Sequence, residues 1–369
     1  MIRLLGPNSH RDDFAIALDK EVAQKRILDF GDKSLSDAHI RELYGLLDNR
    51  DWSLAVARKQ TISGTHPVQC LYRPFDFRYM LYGTFAFDYP RLEINNNLLM
   101  ENLALISTRQ TKENFSVLVC NKPAGQHKLA TPYDGSYLSP LYLYPAEKKS
   151  HLFDDAEGEP AGRRPNLAPD FVKDFGERLG LTFVPDGYGD RQATFGPEDV
   201  FNYLYAVLYS PAYRSRYAEF LKSDFPRLSL TSQPDLFRAL CALGGELVGL
   251  HLMEKKGPAT VNYPIALPKL DSAKDTVEAV RYAEPTGGDQ GRVYINKAQY
   301  FDGVRPEVWA FQVGGYQVCQ KWLKDRKGRT LAFDDIRHYQ GVVAALGETI
   351  RLMGAIDETI DDHGGWPLV

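Results

Sequence analysis

The sequence predicts an α+β protein in which a mixed-sheet unit follows a helical lead-in, with a helical middle segment and a long C-terminal helix after it. Three observations predict this class. Short runs of β-branched and aromatic residues, separated by Gly, Pro and Asn, occupy residues 68–145. Apolar residues recur at helical spacing before and after that block. Near the end of the chain they alternate three and four positions apart, from Ile336 to Met353.

Residues 12–60 have the spacing of a helical lead-in. Ser36 is a residue type that caps helix N-termini, and Pro67 is expected to end the segment. The apolar positions that define two helical runs are Phe14, Leu18, Val22 and Ile27, then Ile40, Leu43 and Leu47.

The next block is expected to form a mixed α/β sheet unit with one helix over residues 91–100. Each predicted strand is bounded by turn-forming residues. The predicted strands are 68–72, 77–82, 103–108, 115–120 and 137–144.

Residues 146–169 are charged, rich in Gly and Pro and without periodicity, so we expect an exposed loop or linker there. Helical spacing dominates residues 170–255, where the aromatic density of 200–209 implies burial.

Strand patterns return at 276–282 and 292–296. The turn Gly287-Gly288-Asp289 between them indicates a hairpin. Helices follow from Pro306, and a last helix over 334–360 would be roughly 40 Å long. Two interpretations of this helix are open, because it could pack on its own domain or act as a spacer or partner-facing helix.

At 369 residues the chain exceeds the usual size of a single domain. We therefore divide it into a helical lead-in at 1–65, a first α/β part at 66–147, a linker and helical part at 148–256, a second α/β part at 257–331, and the C-terminal helix and tail at 332–369.

The formal net charge of -4 argues against nucleic-acid binding through bulk electrostatics, so any such contact must come from local clusters. The four cysteines lack the paired spacing of a zinc site, and no apolar run approaches the ~20 residues that cross a bilayer. We expect a reduced, cytoplasmic protein with no metal site and no membrane partner.

The chain lacks the motifs of enzymes that modify DNA or move along it. It has no Asn/Asp-Pro-Pro-aromatic tetrad of an amino-methyltransferase, no P-loop and no H-E-x-x-H motif. A nuclease-like pattern, Pro234-Asp235 with Glu254-Lys255-Lys256, matches formally but lies in a helical segment rather than on adjacent strands. We predict no catalytic residue, while an enzyme whose active site has no motif stays an alternative.

Positive charge is concentrated in two segments. Residues 107–133 hold four cations against one acid, Glu113, with amides such as Gln126 that can contact base edges. Residues 321–329 hold five cations against Asp325. Each segment could lie along phosphates or be a solvated surface. The candidates for DNA contact are Arg109, Gln110, Lys112, Lys122 and Lys128 in the first segment, and Lys321, Lys324, Arg326 and Lys327 in the second.

Two further candidates, Arg73 and Arg78, lie in the sequence YRPFDFR at 72–78. Either could instead pair with Asp76 as a structural bridge, so both interpretations are open. Three aromatic residues are interpreted as core rather than as base-stacking platforms: Tyr300, Phe301 and Trp309.

Several local sequences occur in one order. With them, residues 12–357 resemble the C-terminal specificity region of Type ISP restriction-modification enzymes and their methylase-helicase relatives. They are DNRDW at 48–52, YRPFDFR at 72–78, residues 103–112, PLYLYP at 140–145, residues 205–217, and the stretch from VYIN at 293–296 to WLKDR at 322–326.

This resemblance implies a target recognition domain that selects an asymmetric DNA site for an adenine-N6 methyltransferase and a nuclease with a translocating motor, in phage defence. The implied partners are double-stranded DNA and those catalytic domains or subunits. S-adenosylmethionine, ATP and magnesium are then expected only in the catalytic parts, with no cofactor in this chain. The alternative is a protein-interaction scaffold that uses the terminal helix and ignores DNA.

Overall fold

The structure is a computed structural model that describes residues 1–60, 62, 64–127, 129–131, 133–145, 162–255, 257, 261–264 and 275–368. The chain forms two compact units. Unit 1 comprises Met1–Arg109 and Leu118–Asn166, and unit 2 comprises Gln110–Val117 and Leu167–Val369. Helices and several small sheets occur together, which confirms the α+β class. The five-segment division stays a prediction.

Unit 1 contains two antiparallel sheets, with strand orders β2-β4-β3 and β1-β7-β5-β6, and a short β8-β9 pair. Its elements are β1 (Leu4–Leu5), α1 (Asp12–Ala15), β2 (Ile16–Ala17), α2 (Lys20–Gly31), α3 (Asp37–Tyr44), α4 (Leu54–Ala57), β3 (Val68–Arg73), β4 (Asp76–Met80), α5 (Leu92–Asn95), a 3₁₀ turn (Asn96–Leu98), β5 (Ala104–Thr108), β6 (Leu118–Cys120), β7 (Ser136–Pro140), β8 (Tyr142–Leu143) and β9 (Arg164–Pro165).

The predicted strands of unit 1 are present, although 115–120 becomes a strand only at Leu118 and the predicted helix over 91–100 is one short helix and a 3₁₀ turn. Of the predicted linker over 146–169, residues 146–161 lie outside the described residues. Further on, β9 pairs with β8.

The predicted stripe of the lead-in is partly wrong. Ser36 caps α3 as expected, by accepting a hydrogen bond from the backbone N–H of His39. However, Val22, Leu43 and Leu47 are exposed, and the core of this region contains Ala23, Ile27, Phe30 and Ile40. For Val22 the physical reason is β2: the chain leaves α1 to pair with β4, so the helical phase that starts at Phe14 is lost before α2 begins. Leu47 is not helical, because α3 ends at Tyr44.

Unit 2 is mainly helical. Its elements are α6 (Pro169–Leu179), β10 (Thr182–Phe183), β11 (Thr194–Phe195), α7 (Pro197–Tyr209), α8 (Pro211–Arg216), α9 (Ala218–Ser223), α10 (Pro234–His251), β12 (Arg281–Ala283), β13 (Gly291–Tyr294), β14 (Tyr300–Val304), α11 (Pro306–Ala310), β15 (Gln312–Val313), β16 (Tyr316–Gln317), α12 (Val318–Lys324) and α13 (Phe333–Asp362).

Helices α7 and α10 approach each other closely at the centre of unit 2. The predicted burial of 200–209 is confirmed, since every residue from Val200 to Tyr209 is buried. A Cβ on Gly244 of α10 would lie 1.9 Å from the carbonyl oxygen of Asn202 in α7. This packing therefore requires glycine at position 244.

A buried hydrogen-bond chain joins α7, α10 and α13. The Tyr205 hydroxyl lies 2.6 Å from Nδ1 of His251, and Nε2 of His251 lies 2.9 Å from Oγ1 of Thr349. Because Thr349 donates its own proton to the carbonyl oxygen of Ala345, His251 must donate from Nε2 and accept at Nδ1. We therefore assign the neutral Nε2–H tautomer to His251.

The terminal helix packs on α7, α8, α10, α11 and α12 within unit 2, which favours the first of its two interpretations. The predicted hairpin is also present, because β12 and β13 pair antiparallel and Gly288 in the turn between them has a φ of 88°. Strand β14 completes this three-stranded sheet.

We predict that acid destabilises the protein through His251. Burial, followed by the nearby Arg214, lowers the pKa of His251 from 6.5 to about 3. Between these values the unfolded chain binds the proton and the folded chain does not, so the free energy of unfolding falls as the pH falls, by up to about 1.4 kcal/mol per pH unit. Urea unfolding of the wild type and His251→Gln across this range should show a flatter pH dependence in the variant. His66→Gln, at an exposed histidine, is the control, and equal slopes in all three proteins would contradict the prediction.

We predict opposite effects for two glycine-to-alanine changes in helices. Gly244→Ala should lower the free energy of unfolding by about 3 kcal/mol or more, because its methyl group overlaps the α7 backbone. Gly354→Ala in α13, where nothing lies within 4 Å of the added Cβ, should raise it by about 0.5–1 kcal/mol. Thermal and urea unfolding would measure both, and a stable Gly244→Ala protein would refute the close-packing argument.

Candidate nucleic-acid interface

The hairpin of β3 and β4 carries the YRPFDFR sequence. Its turn is Pro74-Phe75, and Phe75 adopts a φ of 60° with its side chain buried. A register shift lies between Leu71 and Arg73, so Tyr72 occupies an irregularity of the strand. Positive φ at a bulky residue together with a bulge marks a constrained local geometry, which the burial of Phe75 maintains.

Tyr72 and Arg78 form a compact cluster on this hairpin. The guanidinium carbon of Arg78 lies 3.9 Å from the Tyr72 ring centroid, and that of Arg73 lies 5.1 Å from it. Arg78 donates from Nε and Nη2 to Oδ2 of Asp76, at 3.0 and 2.7 Å. The Asp76 side chain is 1% exposed and that of Arg78 is 13% exposed. The structural interpretation of Arg78 therefore holds, and DNA contact by Arg73 and Arg78 stays a prediction.

A cavity of about 480 Å³ lies beside the hairpin in unit 1. Side chains with hydrogen-bonding groups line it, among them Asn8, His10, Gln126 and His127. The backbone of this wall is fixed: Gln126 N–H donates to the carbonyl of Pro7 at 2.9 Å, and Ser136 N–H donates to that of Gln126 at 2.7 Å. Amides and imidazoles offer both donors and acceptors, which suits contacts with base edges.

Of these lining residues, the sequence predicted only Gln126. Asn8, His10 and His127 belong to no local motif, and they meet Gln126 because the N-terminal segment approaches residue 125. A Cβ on Gly6 would lie 2.4 Å from the carbonyl carbon of Gly125. A glycine at such a crossing is a weak sequence signal, since many glycines serve turns.

The first basic segment includes exposed residues on an anchored backbone. Arg109 ends its part of unit 1, while Gln110 and Lys112 belong to unit 2, and all three are exposed. Within unit 2, Thr111 N–H donates to the carbonyl of Lys222 at 3.1 Å, and the Tyr209 hydroxyl donates to the carbonyl of Val117 at 2.9 Å. The backbone of 110–117 is therefore fixed near both ends, while Gln110 and Lys112 face solvent.

The other two candidates of this segment differ from those three. Lys122 is half-buried, and Lys128 lies outside the described residues. DNA contact by either lysine stays a prediction.

The second basic segment exposes less positive charge to solvent than its composition suggests. Arg326 is 5% exposed, and its guanidinium carbon lies 3.4 Å from the Trp322 ring centroid. Its Nη1 also donates to the Trp322 carbonyl at 3.1 Å, so its burial disfavours direct phosphate contact. Lys321 pairs with Asp325 at 2.7 Å. Lys324 and Lys327 are the exposed cations of this segment.

The nuclease-like pattern is not assembled. Asp235 lies in the first turn of α10 and pairs with Arg238, whereas Glu254 follows the other end of that helix. At 1.5 Å per residue Asp235 is roughly 24 Å from His251 at the end of α10, and Glu254 lies in the turn after that end, too far from Asp235 to share a metal ion. Lys256 lies outside the described residues. In the part of the chain that the structure describes, no group of three or more His, Cys, Asp or Glu side chains is arranged to hold a metal.

The cysteines do not form a nucleophilic site. Cys70, Cys120, Cys241 and Cys319 are all buried and free of disulfides. Burial raises the pKa of all four thiols, to about 12 for Cys120, which disfavours the reactive thiolate. Among the described helices, none combines the length and apolar character that crossing a bilayer requires.

We predict that Arg78→Ala lowers the free energy of unfolding by about 3–5 kcal/mol, because it leaves the buried Asp76 carboxylate without its guanidinium. Adding Asp76→Asn to this variant should recover at least about 1 kcal/mol by removing the buried charge. Lys112→Ala, at an exposed residue, should change stability by less than about 0.5 kcal/mol. Urea unfolding measures all three, and an unchanged Arg78→Ala midpoint would show that the ion pair is dispensable.

The chain matches the Type ISP C-terminal specificity domain over residues 2–355. No curated protein matches it in sequence.

Three solved structures share its fold. A cryo-EM structure of a DrdV–DNA complex matches with a TM-score of 0.68 and 21% identity, covering 96% of this chain and 35% of that chain. The ATP-dependent Type ISP restriction-modification enzyme LlaBIII, bound to DNA, matches with a TM-score of 0.68 and 16% identity, covering 96% and 23%. A nuclease-deletion mutant of the Type ISP enzyme LlaGI, with a DNA substrate mimic, gives 0.63 and 18%, covering 96% and 33%.

These likenesses establish the fold, and this chain spans about a third or less of the length of each of those proteins. The order of local sequences from DNRDW to WLKDR agrees with the family match, which extends over nearly the whole chain. The chain therefore belongs to the family of Type ISP C-terminal specificity domains.

Proposed function

We propose that this chain binds double-stranded DNA and selects the site at which a Type ISP restriction-modification enzyme acts. The observation that carries the proposal is the match to a specificity domain over residues 2–355, supported by a fold shared over 96% of the chain with proteins solved on DNA. Its role would be in cytoplasmic defence against phage DNA.

Exposed cations would hold the DNA backbone. Lys112 lies within the anchored segment 110–117, and Arg109 immediately precedes it. A phosphate contact by either side chain would therefore need little further ordering of the backbone. Lys324 and Lys327 are the accessible cations of the second basic segment. A few local contacts of this kind are compatible with a net charge of -4, whereas binding by bulk charge is not.

Base selection would come from amide and imidazole groups on a fixed backbone. Gln126 in the wall of the unit 1 cavity can form two hydrogen bonds to adenine, and Gln110 is exposed beside the basic residues. Each good bidentate pair of this kind discriminates between bases by about 1–3 kcal/mol.

We further propose that the chain is not catalytic by itself. The separation of Asp235 from Glu254 and the burial of the four thiols support this view. Methyl transfer, cleavage and translocation would belong to methyltransferase and nuclease-motor domains or subunits, and these would bind S-adenosylmethionine, ATP and magnesium.

Selection from random duplexes at low salt tests the function. The purified chain is mixed with a pool of random double-stranded DNA, and bound DNA is recovered by gel shift and sequenced. An enriched asymmetric motif is expected. DNA binding without enrichment would reject site selection, and the absence of binding at low salt would favour an interaction scaffold. Methyl transfer or cleavage by the chain alone, with S-adenosylmethionine or magnesium added, would reject the non-catalytic role.

We predict that Arg109→Ala and Lys112→Ala each weaken binding to the enriched duplex without lowering the unfolding temperature, because both side chains are exposed. Each lost phosphate contact should also reduce the slope of log affinity against log salt by about 0.9. Anisotropy titrations at several salt concentrations would measure both effects. Lys173→Ala on α6, whose side chain is 77% exposed, is the matched control. Equal losses of stability and binding would show that positions 109 and 112 are structural.

A further inference from the structure

The three-stranded sheet β12-β13-β14 of unit 2 has one face directed away from the core. Arg281, Tyr294 and Tyr300 lie opposite one another across the three strands. Because successive residues of a strand point to opposite faces, Val293 and Phe301 occupy the other face, and both are fully buried. The interpretation of Phe301 as core is thus confirmed, whereas Tyr300 lies on the outward face and is half-buried.

A second row of residues lies beside the first on the outward face. Arg292 is opposite Asp302, and Asp302 is opposite Asn262 through an isolated bridge. Arg292 donates from Nε to Oδ1 of Asp302 at 2.9 Å. Arg281, Arg292 and Asn262 are exposed. We call these two rows together the aromatic–arginine face. The first row contains Arg281, Tyr294 and Tyr300, and the second contains Arg292, Asp302 and Asn262.

Four side chains of this face form a continuous row of planar groups in contact with one another. The guanidinium carbon of Arg281 lies 4.2 Å from the Tyr294 ring centroid, the two tyrosine centroids are 5.1 Å apart, and the guanidinium carbon of Arg292 lies 4.6 Å from the Tyr300 centroid. Packing of each guanidinium against a ring limits its conformational freedom. The cations are therefore positioned before any ligand arrives.

The chemistry of this face fits unpaired nucleotides. Aromatic rings and guanidinium planes are the groups on which exposed bases stack, and arginine also contacts phosphate. In a duplex the base faces are already covered by neighbouring base pairs, so a duplex offers this face no base surface on which a ring can stack. A sheet surface that carries aromatic and basic side chains is also a recurring platform for single-stranded nucleic acid.

We propose that the aromatic–arginine face binds single-stranded DNA, with unpaired bases stacking on Tyr294 and Tyr300 and the adjoining phosphates contacting Arg281 and Arg292. This activity is separate from the selection of duplex sites. Lys297 is exposed in the turn between β13 and β14, which connects the strand of Tyr294 to that of Tyr300, and adds a further cation there.

Comparison with a strand that lacks bases distinguishes stacking from simple charge attraction. Fluorescence anisotropy at low salt would compare a labelled oligothymidylate of about 12 nucleotides with an abasic strand of the same length and charge. The wild-type chain should bind the oligothymidylate at least about tenfold more tightly, since stacking on two rings needs bases. Equal affinity for the two strands, or no binding of either, would overturn the proposal.

Side-chain variants locate the binding. Tyr294→Ala and Tyr300→Ala should each weaken oligothymidylate binding by roughly five- to a hundredfold, whereas Tyr294→Phe and Tyr300→Phe should retain it, because the ring and not the hydroxyl stacks. Tyr188→Ala, at a tyrosine of unit 2 that is 55% exposed and lies outside this sheet, is the matched control. Unchanged binding by both alanine variants would reject the site.

Two measurements keep this test independent of folding and of the proposed function. Arg281→Glu changes an exposed residue, so it should weaken oligothymidylate binding even if the alanine variants fail to fold. All variants should bind the enriched duplex within about twofold of the wild type, and loss of duplex binding in parallel would assign the face to the duplex interface and overturn the proposal. If the wild type selects no duplex but still prefers oligothymidylate to the abasic strand, the duplex function fails and this inference stands.

Discussion

The buried hydrogen bonds that connect Tyr205, His251 and Thr349 are the interaction on which the architecture of unit 2 depends. It connects three helices that are far apart in sequence, and each polar group in it has a partner. Burial favours the neutral form of a histidine, and a ring nitrogen left without a hydrogen bond in the interior costs free energy. These hydrogen bonds therefore impose one relative placement on α7, α10 and α13, which apolar packing alone would specify less strictly.

The segments that carry the candidate binding residues are fixed by this kind of long-range polar contact. Tyr209, at the end of α7, donates to the backbone of Val117, so the helical core positions the segment that displays Lys112. In unit 1 the backbone around Gln126 is bound to the N-terminal segment. Binding side chains on fixed backbones lose less conformational entropy when a ligand arrives, which favours selective recognition over a flexible basic tail.

Arginine serves two different purposes in this chain, and composition does not distinguish them. Arg58 is buried and donates to the backbone carbonyls of Phe30 and Leu35. Arg326 is covered by Trp322, while Arg109 faces solvent. Arg326 follows the C-terminal end of α12, and the turn there brings its guanidinium over the Trp322 ring. For Arg78 the sequence offered Asp76 as a partner but left DNA contact equally open, and the burial of Asp76 beside the hairpin turn favours the structural role.

The sequence alone determined the family, the α+β class, most strands, the terminal helix and the missing catalytic motifs, since these follow from short local patterns in a given order. Tertiary structure decided which cations are exposed and which side of the β12–β14 sheet faces solvent. It also placed Asn8, His10 and His127 around one cavity. The physical reason is that burial and sheet orientation depend on contacts between distant residues. A local pattern can specify alternation along a strand, but it cannot specify which of the two faces the core will cover.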